Sequence, residues 1–111
     1  MPDVRLFLRE NCGLCDAALA MVERELARLL GPPRLTFAPC TCGPSSVVRR
    51  VEYLDGSVLQ VIDVDAEPDL RAVFGFEVPV VEVVGVRSFA LEVDPREFGA
   101  ALRARQEVLR A

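Results

Sequence analysis

The sequence predicts an α/β fold, a mixed sheet packed with helices in the order β-α-β-α-β-β-α. Three observations carry the prediction. Short runs rich in β-branched residues recur at strand length; segments with apolar residues at helical spacing lie between them; and glycine or proline stands at most of the junctions.

VRLFL, residues 4–8, has strand length and is interrupted only by Arg5. The next stretch places Leu19, Val22, Leu26, Leu29 and Leu30 on one helical face, with Glu23, Arg24 and Arg28 opposite, and Gly31-Pro32-Pro33 ends it. VLQVID, 58–63, is a second buried strand. Pro68 suits a helix first turn, with Leu70, Val73 and Phe74 expected inward and Gly75 at the end. Val78-Pro79 leads into VVEVV, where a proline without an N–H belongs at the strand's start. Gly85 turns the chain into VRSFALEV, 86–93, in which Phe89, Leu91 and Val93 alternate. Asp94-Pro95-Arg96-Glu97 starts the last helix, with Phe98, Ala101, Leu102, Val108 and Leu109 as its apolar face.

Residues 32–57 stand outside this order as an insertion before the second core strand. Within it, VVRRVEYL, 47–54, fits a strand, because three valines and a tyrosine precede the Asp55-Gly56 hairpin signal. If that strand runs antiparallel to 58–63, and 58–63 runs parallel to 4–8, residue 47 begins at the end where the first helix starts. The 111 residues suit one domain, 1–111, with a single core.

Apolar residues make up 51% of the chain, no run has transmembrane length, and the acid-containing start MPDVRLFLRE lacks a signal-peptide pattern, so a cytoplasmic location is expected. Seventeen acids face thirteen bases, all arginine, for a net charge of −4. That balance argues against a nucleic-acid or anionic-membrane partner. Histidine and lysine are absent, which removes imidazole general-base and lysine Schiff-base chemistry. The chemistry that remains is that of cysteine, carboxylate, hydroxyl or backbone.

Cys12 and Cys15, in ENCGLCDAAL, lie where the first strand gives way to the first helix. A sulfur at a helix N-terminus faces unpaired N–H groups and the positive end of the helix dipole, which favour thiolate over thiol. Cys12 is placed to attack a disulfide, and Cys15, one turn later, to resolve the mixed disulfide. Arg9 supports the thiolate and Asp16 opposes it.

LFLRENCGLCDAALAMVERE and VIDVDAEPDLRAVFGFEVPVVEVVG together resemble a glutaredoxin-like protein of the thioredoxin-fold superfamily, over residues 4–30 and 58–110. The resemblance implies a thioredoxin-like sandwich, with Cys12 as nucleophile and Cys15 as resolving thiol. It also implies a cis Val78–Pro79 bond, with Val78 and Pro79 shaping the substrate groove. The partners implied are a protein or small-molecule disulfide and a cellular reductant, with no cofactor required. The chain departs from the pattern in several places. Its motif is CGLC, Asn11 stands where thioredoxins carry tryptophan, and Gly85 is followed by Val86 where glutaredoxins carry a second glycine and an aspartate. With no lysine to hold a glutathione carboxylate, the sequence argues against glutathione.

Cys40 and Cys42, in PCTCGP, leave three readings open. They are inert loop residues, or a second redox pair exchanging with Cys12 and Cys15, or two ligands of a site in which Cys12, Cys15, Cys40 and Cys42 hold zinc or an iron–sulfur cluster. The last would make the chain a binding or structural module. Cys42 lies within ~15 Å of chain from residue 47, so both pairs can meet at one end. DVDAEPD mimics the start of a calcium loop, but Pro68 occupies the glycine position and Phe74 that of the bidentate glutamate, so these acids read as a solvated strand end and helix start.

Overall fold

The computed structural model describes residues 2–37 and 46–110. Six strands and three helices follow one another as β1 (Val4–Leu8), α1 (Gly13–Leu30), β2 (Pro33–Phe37), β3 (Val47–Tyr53), β4 (Val58–Asp63), α2 (Pro68–Phe74), β5 (Val80–Val83), β6 (Arg87–Ala90) and α3 (Pro95–Arg110). A 3₁₀ turn, Val64–Ala66, joins β4 to α2. The sheet order is β2-β3-β4-β1-β5-β6. β1 and β4 are parallel, and every other neighbouring pair is antiparallel.

Alternation along the central strands sorts their side chains between two layers. Val4 and Leu6 of β1, Leu59 and Val61 of β4, and Val81 and Val83 of β5 point to one face, where Val22 and Leu26 of α1 and Phe98 and Leu102 of α3 cover them. Phe7, Ile62 and Val80 point to the other, packed with Val64, Leu70 and Phe74. The rings of Phe7 and Phe74 stack with centroids 4.3 Å apart. The short α2 therefore caps only one end of its face, the end at which α1 begins.

The expected order of core elements is present, and 47–54 is a strand that ends at Tyr53. Val47 pairs with Ile62 and Leu8 pairs with Asp63, so β3 does begin at the end of the sheet where α1 starts. The Asp55-Gly56 signal forms a tight turn: Ser57 N–H and Oγ–H both donate to the Asp55 carboxylate, and Gly56 takes a φ of 90°.

Within the insertion, β3 takes the expected antiparallel place beside β4, and a strand not read from the sequence, β2, pairs with the outer edge of β3. Three expectations need correction. β6 ends at Ala90, because Leu91 turns to a φ of 67° and carries its side chain outward instead of continuing the alternation. Val73 is exposed, since α2 is seven residues long and only its Leu70–Phe74 side meets the sheet. Val108 and Leu109 are also exposed, because the last turn of α3 runs past the core that Phe98, Ala101 and Leu102 fill.

Candidate active site

Cys12 is the N-cap of α1, with φ −118° and ψ 106°, and its Sγ accepts a hydrogen bond from the Cys15 N–H at 3.2 Å. A sulfur thus fills the capping place usually taken by a hydroxyl or carboxylate oxygen, and it meets one of the orphan donors of the first turn. Asn11, at a φ of 56°, makes the sharp turn from β1 into that cap; asparagine tolerates this conformation better than most residues. Cys12 and Cys15 are joined as a disulfide with Cα atoms 5.2 Å apart.

The two sulfurs have different surroundings. Cys15 is fully buried and lies on the same side of α1 as Ala18, Val22 and Leu26, which pack on the sheet. Cys12 is half-buried, while Gly13 and Leu14 between them are exposed. Solvent thus reaches the Cys12 sulfur's side of the pair, whereas Cys15 is closed off.

The Val78–Pro79 bond is cis. β5 pairs with β1 through Phe7–Val80, so Val78 and Pro79 lie beyond that pair, alongside the turn that carries the cysteines. Pro79 is buried, and its carbonyl accepts the Leu91 N–H at 2.8 Å, tying the β6–α3 connection to the same end.

Arg9 faces a different partner from the one expected. Its Nε donates to Asp65 at 2.9 Å and its Nη1 to the Gly75 carbonyl at 3.1 Å, while Arg71 holds the other Asp65 oxygen at 3.0 Å. The Arg9 hydrogen bond, aided by the charges of both arginines, holds the Asp65 carboxyl below its ordinary 3.8. The guanidinium is committed to the 3₁₀ turn and α2, not to the Cys12 sulfur. Asp63 caps that 3₁₀ turn through the Asp65 N–H, as expected of a strand-end acid.

Sequence reasoning missed Arg71, Phe76 and Leu91 as neighbours of this end. Phe76 is 97% exposed just before Val78, an unusual position for so large an apolar side chain. The position invites notice only once the fold brings it to the end of the sheet where α1 begins, sharing a hollow with Arg9.

Cys40 and Cys42 lie outside the described residues, and so do the inert, relay and four-thiolate readings that depend on them. Among the described residues no group of three or more cysteine, aspartate or glutamate side chains is arranged to hold a metal ion. Among them, too, no helix is long and apolar enough to cross a membrane.

No family model matches the chain, and no curated protein matches its sequence. Solved structures do share its architecture. Thioredoxin 1 from the thermophilic eubacterium Thermosipho africanus TCF52B superposes with a TM-score of 0.59 at 18% identity, over 97% of this chain and 98% of that one. A structural-genomics target, XcR50 from X. campestris, gives 0.55 at 19% identity, over 91% and 96%. At such identities the likeness concerns the fold, which is thioredoxin-like.

Proposed function

We propose that the protein is a thiol–disulfide oxidoreductase whose working dithiol is Cys12 and Cys15. The observation that supports it most is the unequal pair at the start of α1. The accessible sulfur carries a backbone N–H at 3.2 Å, and the buried sulfur is bonded behind it. The N–H and the helix dipole favour a thiolate at Cys12 once the pair is reduced.

In the reduced protein the Cys12 thiolate attacks one sulfur of a substrate disulfide. The substrate S–S bond breaks, and the departing sulfur leaves as a thiolate that takes a proton from water. Cys15 gives up its proton to solvent and attacks Cys12 Sγ. The second substrate thiol is released and the Cys12–Cys15 disulfide re-forms. Two electrons pass from protein to substrate, and a cellular reductant returns them. The exchange requires no cofactor. Val78 and Pro79 shape the groove in which the substrate backbone lies. On this reading the chain is a glutaredoxin-like electron carrier of the cytoplasm, one that does not depend on glutathione.

Two substitutions test it. Cys12→Ser abolishes reduction of a disulfide substrate, whereas Cys15→Ser still attacks and accumulates a mixed disulfide at Cys12 that mass spectrometry detects. Equal exchange rates for wild type and Cys12→Ser would end the proposal.

A further inference from the structure

Charge is distributed unevenly between the two ends of the molecule. Residues 9–16, 63–77 and 92–97 form the β1–α1 turn, the segment from the end of β4 to the approach to β5, and the start of α3, all at the cysteine end. They carry ten acids against three arginines, a formal charge of −7. All other positions carry seven acids and ten arginines, a formal charge of +3, and segment 38–45 contributes none.

Some of these acids have a local structural role. Asp63 and Asp94 accept backbone N–H bonds at the starts of the 3₁₀ turn and α3, and Asp65 is paired with two arginines. Glu10, Asp16, Asp69, Glu77 and Glu92 are exposed and make no side-chain hydrogen bond or ion pair among the described residues.

Apolar surface lies at the same end of the molecule. One hollow of about 440 Å³ is lined by Pro68, Ala72, Gly75 and Phe76 together with Arg9 and Arg71, whose guanidinium groups are both paired with Asp65. A second, of about 260 Å³, is lined by Leu14, Ala17, Met21, Leu91 and Val93. Leu14 belongs to the CGLC motif itself, so one wall of the second hollow is a residue that stands between the two cysteines in the chain. Large exposed apolar groups ringed by charge mark a docking surface.

From this arrangement we infer that the cysteine end docks a cationic protein segment, one whose disulfide is flanked by lysine or arginine. Apolar side chains of the partner fill the hollows at Phe76 and Leu14, and its basic groups meet the surrounding carboxylates. The inference rests on the oxidoreductase reading and names its substrate class. A second copy of this chain is a poor occupant, since it would bring one −7 surface against another. Opposite charge around a reaction centre raises the encounter rate by about 10- to 1,000-fold at low ionic strength, and the gain fades as salt screens it.

The test uses the whole chain, reduced and freed of reductant, with three synthetic peptides of one core sequence. Each carries its single cysteine as a mixed disulfide with a chromogenic thiol, flanked by lysine, serine or glutamate. Rates of chromophore release are divided by those with dithiothreitol, which removes differences in intrinsic reactivity. The lysine-flanked peptide is expected to react about 10-fold or more faster than the glutamate-flanked one at low salt, with the two converging near ~1 M salt. Glu10→Lys with Glu77→Lys narrows the ratio, and Glu107→Lys on α3 at the other end leaves it unchanged. The serine-flanked peptide reports that each variant is folded and active. Equal normalised rates for the lysine and glutamate peptides at low salt, with the serine peptide still reduced, overturn the inference and leave the oxidoreductase reading standing. If none of the three peptides is attacked, both fall together.

Discussion

Cys12 and Cys15 are separated by two residues and by the boundary of the core. Because Cys15 is fully buried and Cys12 is half-buried at the N-cap, they should differ in reactivity toward solvent reagents after reduction. Iodoacetamide is expected to modify Cys12 at least ~10-fold faster than Cys15, read by mass spectrometry of quenched time points. Comparable rates would show that the helix start opens in solution and that the burial of Cys15 is not maintained. The spacing and placement of the pair were legible in the sequence, since Cys-x-x-Cys between a strand-length run and a helical pattern is a local feature. The difference in burial was not, because it depends on which side of α1 meets the sheet. The face read from Leu19, Val22, Leu26, Leu29 and Leu30 was displaced from the one in use, where Cys15, Ala18 and Met21 are buried and Leu19, Leu29 and Leu30 only partly so.

α2 is an element that could not stand alone. Its seven residues are fewer than an isolated helix needs in water, and none is fully buried. Leu70 and Phe74 pack it on the sheet, with Phe74 stacked on Phe7, and two arginines tie it down, Arg71 on Asp65 and Arg9 bridging Asp65 to the Gly75 carbonyl at its C-terminus. Asp65 is the common partner, so Asp65→Asn should release α2 before the rest of the sheet. Faster amide exchange confined to 64–77, with β1 and β4 unchanged, is the expected signature. The pH dependence follows from the same carboxyl. Its folded value lies below 3.8, so its contribution is present above that value and disappears as pH falls through the folded one. The variant should lose less stability than wild type over that acid range, measured by urea unfolding at successive pH values. Among the strands, β3 was legible through Asp55-Gly56. β2 was not: all five of its residues are exposed, so as an edge strand it shows no inward-outward alternation. β6 was read too long because apolar alternation continues through Leu91 and Val93, whereas the backbone reverses at Leu91.

At the scale of the molecule, the end remote from the cysteines is fastened by Arg105. Its Nε pairs with Asp3 at 2.9 Å and its Nη1 donates to the Val84 carbonyl, joining α3 to the residues that precede β1 and follow β5. Both side chains are only 14% exposed, so removing one partner leaves the other poorly solvated. Arg105→Ala should cost about 2 kcal/mol in urea unfolding, against at most ~0.5 kcal/mol for Arg50→Ala, whose pair with Glu52 lies on the surface. Similar small losses for both would mean that water replaces the Asp3 contact. The two ends thus differ in kind. One is closed by the poorly exposed Arg105–Asp3 pair; the other gathers the cysteines, the cis Val78–Pro79 bond, exposed Phe76 and Leu91, and segments with a formal charge of −7.

Local pattern determined the helices, the central strands, the β3–β4 turn and the position of the cysteine pair. Each depends on side-chain periodicity, capping or turn chemistry within about a dozen residues. Tertiary structure alone decided which sulfur is buried, that Arg9 serves Asp65, that β2 extends the sheet, and that acids from three separate segments converge around the cysteines. Those outcomes depend on strand register and on packing between residues more than fifty positions apart, such as Arg9 with Asp65, which no local window of the chain contains.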